Sequence, residues 1–153
     1  MAARISAGLL MYRHAPALQV FLAHPGGPFW RNRDAGAWSL PKGEPEPDED
    51  LLACAIREFE EETGLAPAPD YLPLGSVRQK GGKEVRAWAF EGAWEEGRAL
   101  RSNAFEIEWP PRSGRRQSFP EIDRVAWFDL DEARERLNPA QAVFVERLAE
   151  ALE

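Results

Sequence analysis

The chain has 153 residues, 44% hydrophobic and 29% charged, and carries a formal net charge of −7. That length suits one hydrophobic core and is short for two ordinary domains, so a single domain over residues 1–153 is expected. The acidity excludes general binding to a DNA backbone, no run of about 18 apolar residues offers a membrane span, and the single cysteine, Cys54, excludes an internal disulfide.

The first residues lack the apolar stretch and cleavage pattern of a secretory leader, so a reducing cytoplasm is the expected compartment. Residues 5–13 are apolar enough for a buried strand, and 18–24 read as its neighbour across a turn at 14–17. Residues 25–37 form a loop rich in Gly and Pro that carries Phe29, Trp30, Arg31 and Arg33. Aromatics beside arginines fit stacking on a nucleobase with charge on a phosphate, and equally fit a hydrophobic plug beneath a long loop. Trp38-Ser39-Leu40-Pro41-Lys42-Gly43 follows, with Lys42 placed to meet a phosphate oxygen.

Pro45 and Pro47 keep the chain extended after Gly43. Asp48 is the expected N-cap of a helix of about four turns, with Glu49 and Asp50 in its first turn, and Gly64 is the expected stop. Leu51, Leu52, Ala55, Ile56 and Phe59 recur at helical spacing and form an apolar stripe. Arg57, Glu58, Glu61 and Glu62 fall within about 140° of one another on a different face. Carboxylates so close repel unless positive charge lies among them, and one arginine is too little. A hard divalent cation answers this, and Mg²⁺ suits carboxylate, water and phosphate oxygens, with Mn²⁺ as a substitute. The bland alternative is a solvated acidic helix face.

The spacing from Gly43 is Gly, five residues, Glu49, seven residues, then Arg57-Glu58-Phe59-x-Glu61-Glu62-x-Gly64-Leu65. With seven positions fixed at roughly 7% each, a chance match at one start is on the order of 10⁻⁸. The stretch resembles the Nudix box, the signature of hydrolases that split nucleoside diphosphates linked to another group. The lead-in, Trp38-x-x-Pro41-Lys42-Gly43 and then Glu46-Pro47-x-Glu49, is similar to that of dinucleoside polyphosphate hydrolases of the family.

Further along, 71–79 and 84–91 look like a hairpin around Lys80-Gly81-Gly82-Lys83, where Gly-Gly suits a two-residue turn. Lys80 and Lys83 are candidates to hold distal phosphates; a solubilising charged turn is the alternative. Residues 93–104 read as irregular or weakly helical. A short strand at 105–109 puts Glu106 and Glu108 on one face. Residues 110–120 read as a loop with three arginines, of which Arg112 is a candidate substrate contact. The last strand begins at about 121. In many Nudix enzymes a glutamate shortly before an apolar-x-Trp segment returns to the metal site; Glu121, six before Trp127, fills that place, with Glu106 and Glu108 as competitors. Residues 130–137 form a short helix. Asn138-Pro139 reads as the cap and first residue of a final helix to about 152, with Phe144, Leu148 and Leu152 packing only.

The resemblance implies an α/β fold, a Nudix-type α/β/α sandwich on a mixed β-sheet. It implies Mg²⁺ held by Glu58, Glu61, Glu62 and the Gly43 carbonyl, with Arg57 orienting the carboxylates and Glu49 anchoring the loop. Glu58 and Glu121 both qualify as the general base. Lys42, Trp30, Trp38, Lys80, Lys83 and Arg112 are the expected substrate contacts. The substrate is then a small phosphorylated molecule, a nucleoside polyphosphate and first of all a dinucleoside one. A sanitising pyrophosphatase for oxidised nucleoside triphosphates is the near alternative, with a sugar nucleotide or an RNA 5′ triphosphate behind it. A non-catalytic nucleotide sensor or a structural Ca²⁺ protein are readings from other classes. Oligomeric state is not legible.

Overall fold

The computed structural model describes residues 4–95 and 102–153; part of the stretch expected to be irregular, 93–104, lies outside them. The chain is organised around β1 (Ile5–His14), a strand buried on both faces. Side chains alternate along a strand, and the run from Ser6 to Tyr12 supplies small or apolar groups to both sides, as a central strand requires. Ala7, Leu9 and Met11 face one cluster with Phe21, Phe59 and Phe90. Leu10 and Tyr12 face another with Leu22, Phe144 and Leu148.

Helix α1 (Leu51–Thr63) covers the first face, and α2 (Leu130–Arg136) with α3 (Ala142–Ala151) covers the second. β5 (Glu84–Glu91) runs parallel to β1. β2 (Leu18–Pro25), β4 (Leu72–Arg78) and β8 (Ile122–Asp129) complete the order β4-β5-β1-β2-β8 through antiparallel pairs. This is the α/β/α sandwich on a mixed sheet that the sequence implies. Among the described residues no helix is long and apolar enough to cross a membrane.

One irregularity positions the site. β1 and β2 pair only from Tyr12↔Val20 to His14↔Leu18 and then part. The chain from 38 to 43 fills the gap: Ser39 bridges to Ala23, and β3 (Lys42–Gly43) pairs with Gly8 and Ala7 of β1. Gly8 makes room for this wedge, because a Cβ there would lie 2.2 Å from Leu40 Cδ1 and 2.6 Å from the Pro41 carbonyl oxygen. The wedge carries Lys42 and Gly43 into contact with α1.

Several local expectations are corrected. Asp48 does not cap α1; it has φ +63, and the cap is Asp50, whose carboxylate accepts from the Ala53 amide at 3.1 Å. Glu49 therefore lies outside the helix, free to turn toward Arg57. Gly64 does end the helix, at φ +77, with its amide on the Glu60 carbonyl. The β4–β5 loop closes over three residues rather than two. Gln79 donates to the Lys83 carbonyl and Gly82 to that of Gln79, with Gly81 and Gly82 both at positive φ, which only glycine adopts freely.

The expected loop 110–120 contains β7 (Arg116–Pro120), paired antiparallel with β6 (Ala104–Glu108) in a separate two-stranded sheet. Phe119 is the one large apolar residue in β7, too little for alternation to show, and it packs on Phe105 with ring centroids 6.1 Å apart. Asn138-Pro139 opens a turn rather than α3: Asn138 Oδ1 accepts from Ala140, and α3 begins at Ala142. Between them Gln141 is drawn inward, its side chain accepting from the Leu40 amide.

Candidate active site

Arg57 is the hub of the acidic face. Its Nε and Nη2 donate to the Glu49 carboxylate, both at 2.8 Å, and Nη1 donates to Glu58 and Glu61, each at 3.1 Å. Nη2 also reaches the Glu44 carbonyl at 3.3 Å. Glu49 accepts from the Glu46 amide as well, so it ties the loop before α1 to the helix. The Arg57 hydrogen bonds, then the Glu46 amide, pull the Glu49 pKa down to about 2. The same pairs, Glu49 first, raise that of Arg57. A planar fork with five donors thus serves Glu49, Glu58 and Glu61 together.

Glu62 is left out of that set. One of its oxygens accepts from the Lys42 amide at 3.1 Å. Burial first, and the nearby Glu58 second, push its pKa up to about 8. Burial also raises Glu58, with Glu61 and Glu121 adding to it, and raises Glu121, with Glu61 adding to it. Glu58, Glu61, Glu62 and Glu121 therefore share one electrostatic neighbourhood. Among the described residues, however, no three acids converge on a single point. Glu58 and Glu61 are turned to Arg57, and Glu62 to the Lys42 amide.

Gly43 lies against this group. A Cβ on it would sit 2.0 Å from Glu58 Cδ and 2.3 Å from both carboxylate oxygens, so only glycine leaves room for the Glu58 carboxyl. The Cys54 thiol donates to the Gly43 carbonyl at 3.5 Å. Burial holds Cys54 protonated by pushing its pKa up to about 11. The donor set offered here is all hard oxygen, from carboxylates and one carbonyl. A divalent cation would offset the burial, and with it the mutual repulsion, that raise Glu58 and Glu62, so these residues fit Mg²⁺ or Mn²⁺.

Glu121 reaches the site through its backbone. The Gly26 amide donates to the Glu121 carbonyl at 2.8 Å, and a Cβ on Gly26 would meet the Pro120 carbonyl oxygen at 2.0 Å. Next to it, buried His24 is held between the Asp123 carboxylate at 2.7 Å and the Arg33 carbonyl at 2.6 Å. The Glu121 carboxylate itself has no hydrogen-bond partner among the described residues.

Three cavities meet along this wall. A cavity of about 140 Å³ is lined by Lys42, Glu62, Glu121, Pro25 and Ser39. Glu62 and Ile122 also line the largest, about 580 Å³, with Trp38, Phe128, Arg124 and Arg136. Lys42, Pro25 and Ser39 also line a third, about 230 Å³, with Trp30, Gln79, Asn138 and Gln141. Lys42 has no ion-pair partner within 4.0 Å among the described residues. Burial, then the neighbouring Lys83, lowers its pKa.

The substrate candidates divide accordingly. Trp38 lines the largest of these three cavities; its Nε1 donates to Asp34 at 2.6 Å, and the Arg124 guanidinium lies 5.4 Å from its ring. Trp30, 38% exposed, lines the third. Lys83 is near enough to act on Lys42. Lys80 and Arg112 are not brought in: each sits exposed in a hairpin turn, Arg112 at φ +62, and neither lines any of these cavities. Glu106 and Glu108 occupy the exposed face of β6 and do not reach the acids. Phe29 packs on Trp109 at 5.4 Å rather than in a cavity. Sequence reading missed Arg124, Arg136, Gln79, Asn138 and Gln141 as site residues, because each takes its place only through contacts distant in sequence.

The NUDIX domain model matches residues 3–148. The diadenosine tetraphosphate (Ap4A) hydrolase of C. elegans, solved as a binary complex, superposes with a TM-score of 0.68 at 19% identity over 96% of this chain and 97% of that one. The NUDIX domain of Shewanella oneidensis NrtR, solved with ADP ribose, gives 0.66 at 19% identity over 100% and 90%. The mRNA-decapping protein g5R of African swine fever virus is 69% identical over 42 residues, 28% of this chain and only 17% of that protein.

Proposed function

Because the chain belongs to the NUDIX domain family of hydrolases, we propose that it cleaves a phosphoric anhydride bond in a nucleoside polyphosphate, first of all a dinucleoside polyphosphate, with Mg²⁺. The observation that carries this reading is the nearness of Glu58, Glu62 and Glu121 to a largely buried Lys42 that has no ion-pair partner among the described residues, on a wall shared by three cavities. Glu58, Glu61, Glu62 and the Gly43 carbonyl would hold Mg²⁺, which would supply positive charge to offset the electrons gathered on the departing phosphate oxygens.

The chain's own residues do the rest. Lys42 takes a non-bridging phosphate oxygen and fixes the anhydride against the acids. Arg57 fixes the Glu58 and Glu61 carboxylates through its Nη1. Glu121 takes the proton of the attacking water, because its carboxylate is the one that no donor among the described residues occupies, and burial raises its basicity. Trp38 and Phe128, with Arg124 over Trp38, offer a nucleoside-sized recess on one side of the acids. The fold likeness to an Ap4A hydrolase supports the same substrate class.

The test is a panel of mono- and dinucleoside polyphosphates, oxidised nucleoside triphosphates and nucleotide sugars, each with Mg²⁺ and with chelator, products separated by chromatography. Mg²⁺-dependent cleavage of a dinucleoside polyphosphate is expected. Preference for an oxidised triphosphate would move the protein to the sanitising class. No turnover of any member would reject hydrolysis.

A further inference from the structure

The third cavity has a chemistry that the acids and the larger recess do not use. Two side-chain amides in it are locked in orientation. The Leu40 amide donates to Gln141 Oε1 at 3.1 Å, which turns Gln141 Nε2 outward. That nitrogen donates to Gln79 Oε1 at 2.8 Å. Gln79 is thereby left with its –NH₂ as the unused end. In the same way the Ala140 amide donates to Asn138 Oδ1 at 3.1 Å and leaves the Asn138 –NH₂ unused. Neither nitrogen has a hydrogen-bond partner among the described residues. Gln79, Asn138 and Gln141 all line the cavity, Gln141 is 1% exposed, and Trp30 adds an aromatic face.

We propose that this cavity is a nucleobase subsite that reads a ring edge made of acceptors, so that it prefers guanine to adenine. The unused groups are both donors. The edge of guanine that carries O6 and N7 presents two acceptors, whereas the same edge of adenine presents one acceptor and the N6 amino donor. A donor left facing a donor loses its bond and stays desolvated, and this sets the discrimination. Stacking on Trp30 is indifferent to base identity and supplies affinity only. Lys42 lines both this cavity and the one that holds Glu62 and Glu121, so a base lodged here leads its phosphates past Lys42 toward the acids. The phosphate path rests on the function proposed above; the base preference does not.

Calorimetric titration with GMP and AMP tests the preference without turnover, because neither contains an anhydride. GMP is expected to bind about tenfold more tightly than AMP. Gln79→Glu keeps the acceptor for Gln141 and replaces the free –NH₂ by an acceptor. It is expected to weaken both ligands through repulsion of their phosphates while reducing the GMP-to-AMP ratio to about one or below. Asn138→Asp makes the same exchange at the other amide and is expected to lower the ratio as well. A wild-type ratio within twofold of one overturns the proposal, as does a ratio that neither substitution changes in protein with a native melting curve. Failure of hydrolysis across the nucleotide panel, with the GMP preference intact, would reject the proposed reaction and leave the subsite standing.

Discussion

Gly43→Ala isolates the claim that the Glu58 carboxyl must sit where it does. The φ of Gly43 is not in the left-handed region, so alanine meets no backbone penalty there, and the effect comes from space alone. The new Cβ would stand 2.0 Å from Glu58 Cδ, and ordinary contact begins at 3.4 Å, so the carboxyl must retreat by about 1.4 Å. Misplacement of a reacting group by about 1 Å costs about 10²-fold in rate. Turnover is therefore expected to fall at least about 10²-fold, or about 2.7 kcal/mol of barrier. Stability should change far less. The Glu58–Arg57 bond at 3.1 Å is lost, but Arg57 keeps Glu49 and Glu61, so about 1 kcal/mol and a few degrees of melting temperature are at stake.

Phosphate release coupled to a phosphatase, with thermal melts alongside, measures both quantities. Gly43→Ala placed on Glu58→Ala completes a double-mutant cycle. With the carboxyl already gone the added methyl has nothing to displace, so the second substitution should cost almost nothing further. Turnover within threefold of wild type for Gly43→Ala, or full additivity in the cycle, would refute the argument that Gly43 exists to admit Glu58.

Glu61→Gln and Glu62→Gln should each reduce turnover by about 10³ or more, roughly 4 kcal/mol of charge stabilisation; a loss below tenfold would remove that residue from the metal site. Arg57→Lys retains charge but not the fork that spans Glu49, Glu58 and Glu61, so both turnover and melting temperature should drop, and near wild-type values would show that a point charge suffices. Asp34 is held below its unfolded pKa of 3.8, by the Trp38 indole first and then Arg136, so its contribution is fully present above that pH and is lost as the pH falls below it. Half-exposed, it is worth under about 1 kcal/mol, so Asp34→Asn should lower stability by up to that amount at pH 7, and the two proteins should converge as the pH falls below 3.8; an equal difference at every pH would contradict it. Cys54, fully buried with its pKa at about 11, should resist alkylation at pH 8 until the protein unfolds; rapid labelling of native protein would contradict that burial.

The helix that carries the acids was legible because its signals are local. Leu51 to Phe59 fall at helical spacing, Gly64 is free to turn left-handed, and Arg57, Glu58, Glu61 and Glu62 share a face by arithmetic alone. Its start was misplaced because Asp48 and Asp50 are both competent caps, and the choice between them lies with Arg57, which draws Glu49 out of the helix. β7 was missed for the opposite reason: Arg116 to Pro120 has almost no alternation of its own and takes its order from β6. The third cavity was beyond sequence reading altogether. Gln79, Asn138 and Gln141 are spread over 62 positions and meet only because the β4–β5 hairpin lies beside the turn that precedes α3. Lys80 looked as promising as Lys83 on the same loop, yet only Lys83 acts on Lys42, since the loop has three residues and lifts Lys80 toward solvent.

The relation between Lys42 and Glu62 carries the functional argument furthest. Both line one small cavity and both are largely buried, yet no ion pair joins their side chains; the contact between them runs through the Lys42 backbone amide. Burying an ammonium and a carboxylate without pairing them is costly, and the shift of each toward its neutral form records that cost. A fold selected for stability alone would close the pair or replace both by apolar groups. Keeping them apart leaves room between a cation and an anion. A phosphate suits the lysine side of that room and a divalent cation suits the carboxylate side, and a metal-bound polyphosphate brings both at once.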